Sequence, residues 1–228
     1  NASPSLTRQR NYGIAHLPRG IEVVHFLDDD VDLSPNYFRV LARALHSHEE
    51  VGGVGGLTYE DTLPQSSPSL MHRRFLLEGP PGEVLPSGHV TSPQRLSQSS
   101  SVPDAPIATS FLSGCSCTYM RKVLEETQFD PSLKRHSFLE DLDFSYRVSQ
   151  LYTLQVVPEA SLHHHRSPQN RESVAQQAEE KIRHRYWFVR KHNLSAMAFW
   201  WSVLGQFLAR LLSSHPQANA SLRGLLRG

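Results

Sequence analysis

The sequence predicts an α/β fold, an open mixed sheet flanked by helices, and three observations carry this prediction. An apolar strand at Ile21–Leu27 ends in three adjacent aspartates, a helical pattern runs from Tyr37 to Leu45, and a glycine-rich strand or turn follows at Val51–Leu57. Strand, helix and strand in this order are typical of an α/β sheet. The apolar run of the first strand is close to that of a strand buried on both faces.

Composition excludes some classes of protein. The chain has 228 residues, of which 39% are hydrophobic, so a globular core is expected and disorder is not. Lys and Arg number 23 against 22 Asp and Glu, a net charge of +1 that implies no nucleic-acid partner. Cys115 and Cys117 are expected to be reduced and buried on one face of a strand, without the further ligands that zinc needs.

Local signals predict the remaining elements. Ser34 is a candidate N-cap with Pro35 at the first helical position, and that helix is expected to stop near Ser47. A helix at 6–16 precedes the first strand. Later strands are predicted at 107–112, 115–120 and 153–157, and later helices at 121–126, 138–149 and 171–193, the last of them amphipathic.

Residues 59–106 change in character, with clusters of Pro and Ser and a candidate hairpin at Val84–Val90. A long segment of this kind in a compact domain is most often a lid or a binding loop. A mobile surface insertion is the alternative.

The three aspartates at the end of the first strand favour a metal site. Adjacent carboxylates raise one another's pKa unless a cation lies among them, and oxygen ligands suit Mn²⁺ or Mg²⁺. Asp28 and Asp30 share a side if strand geometry persists, with Asp29 opposite. The alternatives are an acidic loop in solvent, or an acid pair with Asp32 at a helix N-terminus.

A second acidic cluster begins the helix at 138–149. Ser137 and Glu140 fit a capping box. Asp141, in the first turn, is expected to be ionised because of the helix dipole, so it could take a proton from a hydroxyl. Acids that serve only to start the helix are the alternative.

Three histidines follow the strand at 153–157. Alternation puts His163 and His165 on one side and His164 on the other, so at most two of them serve one site. Neutral imidazole suits a metal or a diphosphate oxygen, and a surface run of histidines is the alternative.

The segment Leu194–Leu212 is apolar and aromatic, and it follows several basic residues. It is marginal for spanning a membrane, for which about twenty predominantly apolar residues are needed. A helix lying in the membrane interface is predicted, and a core or partner-docking helix is the alternative. The composition divides the chain into a domain at 1–193 and a C-terminal helix and tail at 194–228.

Taken together, these segments resemble family 2 glycosyltransferases, and the resemblance covers Thr7 to about Lys191. The residues that carry it are, in order, Arg10-Asn11-x-Gly13, Val23 to Tyr37, Leu112 to Arg121, Phe129-Asp130, Glu140 to Arg147, and Pro158-Glu-Ala-x-Leu-x-His164. The resemblance implies a GT-A fold. Family members begin with a strand and turn that hold the nucleoside, and this sequence shows none, so an N-terminally incomplete domain is expected.

The resemblance also implies roles for individual residues. Asp28 and Asp30 are expected at the metal and Asp29 at the donor nucleotide. Arg10 and His164 are expected near the donor, with a surface salt bridge as the alternative for Arg10. The remaining candidates are Gly114 on the donor-sugar and acceptor pocket, Glu140 on the acceptor side, and Asp141 as the general base.

The function implied is an inverting glycosyltransferase of cell-surface polysaccharide synthesis that depends on Mn²⁺ or Mg²⁺. It would move a sugar from a nucleoside-diphosphate sugar to a saccharide or glycolipid acceptor, in the cytoplasm or peripherally on the inner face of the membrane. A truncated, non-catalytic binding or partner module is the main alternative. A phosphoryl-transfer enzyme ranks last because the chain lacks a glycine-rich phosphate loop.

Overall fold

A computed structural model describes residues 5–59, 70–91, 93, 102–133, 139–165 and 173–212. Contacts divide the chain into two compact units, one of residues 1–64 and 92–167, the other of residues 65–91 and 168–228. The division at residue 193 rests on composition and stays a prediction.

The first unit contains the sheet and most of the helices. Its elements are α1 (Leu6–Ala15), β1 (Val23–Leu27), β2 (Val31–Leu33), α2 (Tyr37–Leu45), β3 (Val51–Tyr59), β4 (Ile107–Thr109), β5 (Ser116–Met120), α4 (Arg121–Glu126), α5 (Glu140–Ser149) and β6 (Thr153–His164). The second unit contains α3 (Leu70–Arg74), α6 (Val174–Lys191) and α7 (Ala196–Leu211).

The strands form one mixed sheet in the order β1-β5-β3-β6-β2, with β4 also paired to β6. Strands β3 and β6 are parallel, and the other pairs are antiparallel. Adjacent residues of β6 enter different cores, since Val156 packs in a cluster with residues of α4 and α5, and Val157 in a cluster with α2. Helices therefore cover both faces, and the predicted open mixed sheet flanked by helices is confirmed.

Strand β6 is longer than predicted. It continues past Pro158 to His164 because the register against β3 shifts, so that Val157 pairs with Gly56 and Ser161 with Leu57. Pro158 lies in this bulge, where a residue without an N–H costs no ladder hydrogen bond. Gly56 is required opposite it, because a Cβ there would lie 2.5 Å from the Ala160 carbonyl oxygen.

Two expectations about the start of the sheet are wrong. Strand β1 is half-buried rather than buried on both faces, since among the described strands it pairs only with β5. Ser34 does not cap α2, because the helix begins at Tyr37 after Asn36, and the Ser34 hydroxyl accepts the N–H of Ser161 at 3.2 Å. Strand β2 was not predicted.

The two cysteines are free and buried, as expected, but they do not share a face. Cys117 packs in the cluster with α4 and α5, and Cys115 in the cluster with α2. Cys115 precedes β5, which begins at Ser116, so strand alternation does not extend to it.

In the second unit, Ile182 and Val189 of α6 pack with Phe199 of α7. Helix α6 begins with a capping box of Ser173 and Gln176, and it occupies most of the predicted range. The hairpin expected at Val84–Val90 is present as an antiparallel bridge between these two residues. Among the helices that the structure describes, none is long and apolar enough to cross a membrane.

Candidate functional site

Three strands bring two aspartates and a histidine together. Asp28 directly follows β1, Asp30 directly precedes β2, and His164 ends β6. Strand β2 pairs with β6 so that Val31 lies opposite His164, and the N–H of His165 donates to the Asp30 carbonyl oxygen at 2.9 Å. The short strand β2 therefore folds the aspartates back onto the end of β6.

The geometry of this trio suits a metal ion. His164 Nε2 lies 3.1 Å from Asp30 Oδ1 and 3.9 Å from Asp28 Oδ2. One ligand atom from each of the three residues falls within 4.8 Å of the others. Burial raises the pKa of Asp28, and the neighbouring His164 partly offsets that rise. Two carboxylates and one imidazole fit a divalent cation.

The remaining residues of the aspartate run and the histidine run lie outside the trio. Asp29 is exposed and lies outside the trio, and residues 28–30 connect β1 and β2 through a bend, so strand alternation does not apply to them. The rings of His163 and His165 lie 4.7 Å apart, and His165 Nε2 contacts Asp32 Oδ2 at 2.7 Å on the surface. Only one of the three histidines thus belongs to the trio.

Asp141, at the start of α5, is held by backbone groups. Its Oδ2 accepts the N–H of Gly114 at 3.0 Å, and its Oδ1 accepts the N–H of Leu142 at 2.8 Å. Burial raises the pKa of Asp141, and these two donors lower it. A Cβ at position 114 would lie 3.2 Å from Asp141 Oδ2, so glycine allows the close approach.

Arg10 lies inside the unit and contacts Glu140. Its Nη1 donates to Glu140 Oε1 at 3.3 Å, and each side chain is only 10% exposed. The guanidinium carbon lies 5.4 Å from the ring centroid of Phe26 and 5.1 Å from that of Phe129. The surface salt bridge considered for Arg10 is therefore wrong, because the pair is buried.

Glu140 also differs from its expected place in the helix. It is the first residue of α5 after Leu139, so it cannot occupy the third position of a capping box, and Ser137 lies outside the described residues. Burial, with the nearby charge of Asp141, raises the pKa of Glu140 to about 8, against the opposing effect of Arg10. Burial therefore raises the pKa of both carboxyls, and two backbone N–H donors favour the ionised form of Asp141.

Sequence reasoning named Asn11 and Phe129 in separate segments but missed the contact between them that supports Arg10. Asn11 donates from Nδ2 to the Phe129 carbonyl at 2.8 Å and accepts the Phe129 N–H at 2.9 Å. This two-point contact fixes the ring on which Arg10 packs. No local signal could reveal it, since the partners lie more than a hundred positions apart in the sequence.

The metal-type trio and Asp141 both border the loop that precedes β5. The N–H of Asp28 donates to the Cys115 carbonyl at 3.0 Å, and the preceding residue, Gly114, binds Asp141. The charge of Arg10 lowers the pKa of both Asp28 and Asp141. The metal-type trio and the half-buried carboxylate of Asp141 thus belong to one site.

A buried network supports β1 beside this site, and it was also missed. The Gly56 N–H donates to the Tyr37 hydroxyl at 3.2 Å, and that hydroxyl lies 2.6 Å from Ser116 Oγ. Ser116 Oγ lies 3.2 Å from His25 Nε2, and His25 Nδ1 contacts Thr118 Oγ1. Burial lowers the pKa of His25 to about 4, so the ring is neutral at physiological pH.

Comparison with solved structures identifies the class of fold. A structure of GalNAc-T7 with UDP, GalNAc and Mn²⁺ matches 74% of this chain and 32% of its own, with a TM-score of 0.51 and 16% sequence identity. A structure of residues 1–349 of S. aureus TarS matches 99% of this chain and 51% of its own, with a TM-score of 0.44 and 14% identity.

The likeness to the GalNAc-T7 structure shows that the chain has a fold of the GT-A type, as the sequence resemblance implied. It spans about a third of the GalNAc-T7 chain and about half of the TarS chain. No protein-family model matches the chain. No curated protein matches it in sequence.

Proposed function

We propose that this chain is a metal-dependent inverting glycosyltransferase of the family 2 type. It would transfer a sugar from a nucleoside-diphosphate sugar to a hydroxyl of a saccharide or glycolipid acceptor in cell-surface polysaccharide synthesis. The observation that carries the proposal is the pair of clusters around one loop, with Asp28, Asp30 and His164 on one side and Asp141 held by Gly114 on the other.

Asp28, Asp30 and His164 are the residues that would hold Mn²⁺ or Mg²⁺, and Asp29 is exposed next to them where a donor ribose could reach it. A bound divalent cation would supply positive charge against the diphosphate that leaves. The imidazole favours Mn²⁺, because Mg²⁺ prefers a shell of oxygen atoms.

Asp141 is the proposed general base. It would accept the proton of the acceptor hydroxyl while the hydroxyl oxygen bonds to the anomeric carbon and the bond to the diphosphate breaks, which inverts the configuration. Glu140 is placed on the acceptor side, where burial and the charge of Asp141 raise its pKa to about 8, so a protonated Glu140 would leave Asp141 as the charged carboxylate. The positive charge of Arg10 then compensates the negative charge of Asp141. Its proposed role is to position Glu140 by a hydrogen bond and to lower the pKa of Asp141.

A binding measurement tests the donor site. We expect one of UDP, GDP and dTDP to bind in calorimetry only with Mn²⁺, and Asp30→Ala to abolish this binding. Asp32→Ala is the matched control, because Asp32 is acidic and nearby but lies outside the trio and contacts His165 on the surface. Failure of all three nucleotides to bind the folded chain would overturn the proposal.

The proposed setting is the cytoplasmic face of a membrane, argued from the apolar segment Leu194–Leu212. A non-catalytic binding module is the second candidate. It would bind the nucleotide and still release no product with any sugar donor of that nucleotide.

A further inference from the structure

Helix α7 exposes an apolar stripe along its whole length. Its residues recur at the spacing of one helix face, namely Met197, Trp200, Trp201, Leu204 and Leu211. Met197 is 84% exposed and Trp200 is 57% exposed, although the opposite face of the helix is buried through Phe199, Ser202 and Gly205. A surface of contiguous large apolar side chains marks an interaction site.

Exposed arginines of α3 flank this stripe on the side of Trp201. The indole N–H of Trp201 donates to the Arg74 carbonyl at 2.9 Å, and its ring stacks on Phe75 at 4.8 Å. Helix α3, which ends at Arg74, therefore lies beside Trp201. Both Arg73 and Arg74 are exposed there, and neither α3 nor α7 contains a carboxylate.

An exposed arginine of α6 flanks the stripe on the side of Trp200. The ring of Tyr186, on α6, lies 6.1 Å from that of Trp200 and is 39% exposed. Arg190 follows Tyr186 by four residues, so it lies on the same face of α6, and it is exposed. No Asp or Glu follows Glu180 in the chain.

We propose that the α7 stripe docks on an anionic lipid bilayer, with Trp200 and its neighbours inserted at the headgroup level and Arg73, Arg74 and Arg190 on lipid phosphates. Tryptophan suits this depth because one edge of its ring is apolar and the other donates a hydrogen bond. An amphipathic helix with apolar and basic residues arranged this way lies in the plane of the interface.

A second copy of the chain fits this surface less well. A two-fold interface would bring the same patch of both molecules together, and the arginines would face arginines without any carboxylate of α3 or α7 between them. An anionic bilayer satisfies both the apolar stripe and its basic border. This inference rests on the membrane setting of the proposed function, but not on the transfer reaction.

Vesicle binding of the full chain tests the proposal directly. The three tryptophans, at positions 187, 200 and 201, all lie on α6 and α7, so tryptophan emission, excited selectively over the tyrosines, reports on this region. We expect a blue shift and co-flotation with phosphatidylcholine vesicles that contain phosphatidylglycerol, weakened by salt. Vesicles of phosphatidylcholine alone should bind at least about tenfold more weakly.

Matched variants separate the two parts of the surface. Met197→Ser with Leu204→Ser should reduce flotation at least about tenfold, and so should Arg73→Glu with Arg74→Glu. Leu151→Ser and Arg39→Glu are the controls, because both residues are exposed in the first unit, and they should float as the unmodified chain does.

Several results would overturn the proposal. These are no flotation of the folded chain, equal flotation of the stripe variants and the controls, or equal binding to neutral vesicles. A dimer in light scattering that the same serine substitutions dissociate would assign the stripe to a second copy. Nucleotide binding is measured without vesicles, so a failed donor site and a failed membrane surface are seen separately.

Discussion

The N–H of Gly114 and the carboxylate of Asp141 form a 3.0 Å hydrogen bond that joins the loop before β5 to the first turn of α5. Asp141 is half-buried, so part of its surface is open to a substrate hydroxyl. The hydrogen bond also favours the ionised form, which a general base requires. This relationship makes Asp141 the first residue to test.

Asp141→Asn should strongly reduce sugar transfer and keep only one of the two backbone hydrogen bonds of this side chain, because its amide nitrogen cannot accept the Leu142 N–H. The amide oxygen can still accept the Gly114 N–H, but it cannot take a proton, so we expect a loss of about 10²- to 10⁴-fold in kcat. The measurement is release of nucleoside diphosphate in the presence of acceptor. If a variant with the same unfolding transition as the unmodified chain kept its turnover, Asp141 would not be the general base.

His164→Ala should weaken Mn²⁺ binding, because it removes the single nitrogen ligand of the trio with Asp28 and Asp30. Loss of one ligand is expected to lower affinity by about tenfold or more. The measurement is titration with Mn²⁺ followed by electron paramagnetic resonance. His163→Ala is the matched control, since its ring lies with His165 on the other side, and an equal loss there would contradict the assignment.

Arg10→Met should shift the pH dependence of transfer. Arg10 lowers the pKa of Asp141, so removing this cation raises that pKa, and the base stays protonated until a higher pH. The rising limb of kcat against pH is therefore expected to move to higher pH. Arg8→Met is the control because Arg8 is exposed on the same helix, and an unmoved limb in Arg10→Met would deny the coupling.

Glu140→Gln should change how stability depends on pH. The pKa of Glu140 is about 8 in the folded chain and about 4.5 when unperturbed, so between these values the folded state binds more protons than the unfolded state. The free energy of unfolding therefore falls as pH rises through this window. Glutamine carries no titrating proton, so urea unfolding of the variant should show a shallower fall, and parallel curves would refute the shift.

His25→Gln should reduce sensitivity to acid. The pKa of His25 is lowered from 6.5 to about 4, so the folded state binds fewer protons than the unfolded state between these values. Stability from this group is present above pH 6.5 and is lost as pH falls toward 4. The midpoint temperature of thermal unfolding should therefore fall less steeply with decreasing pH in the variant. At neutral pH the variant is less stable than the unmodified chain, because Ser116 and Thr118 lose their partner.

Much of the fold was predictable from the sequence because its signals are local. Helix α4 has the predicted bounds of Arg121 and Glu126, and the glycine-rich segment from Val51 is indeed a strand. The prediction failed where distant residues decide the outcome. Strand β6 was expected to end near Pro158, since the bulge that accommodates the proline depends on pairing with Gly56.

The candidate site shows the same division. Strand alternation predicted that His164 lies on the opposite side from its two neighbours, which are in β6 or directly after it. The same rule was applied to Asp28 and Asp30, but these residues lie in the bend between β1 and β2, so their grouping depends on the pairing of β2 with β6. The burial of Arg10 between Phe26 and Phe129 was not predictable, because the three residues come from separate segments. Strand β2 was missed since three residues carry too little periodicity.

The second unit is built from two separate segments of the chain, and this limits how the chain can be shortened. Its two segments are separated in the sequence but joined by contacts, since the N–H of Ser195 donates to the Pro86 carbonyl and Gly88 packs against Val189. Removing the residues after 167 would expose the apolar surface of the segment at 70–91, which remains in the chain. A C-terminal truncation is thus expected to aggregate, so point substitutions are the sounder way to separate the roles of the two units.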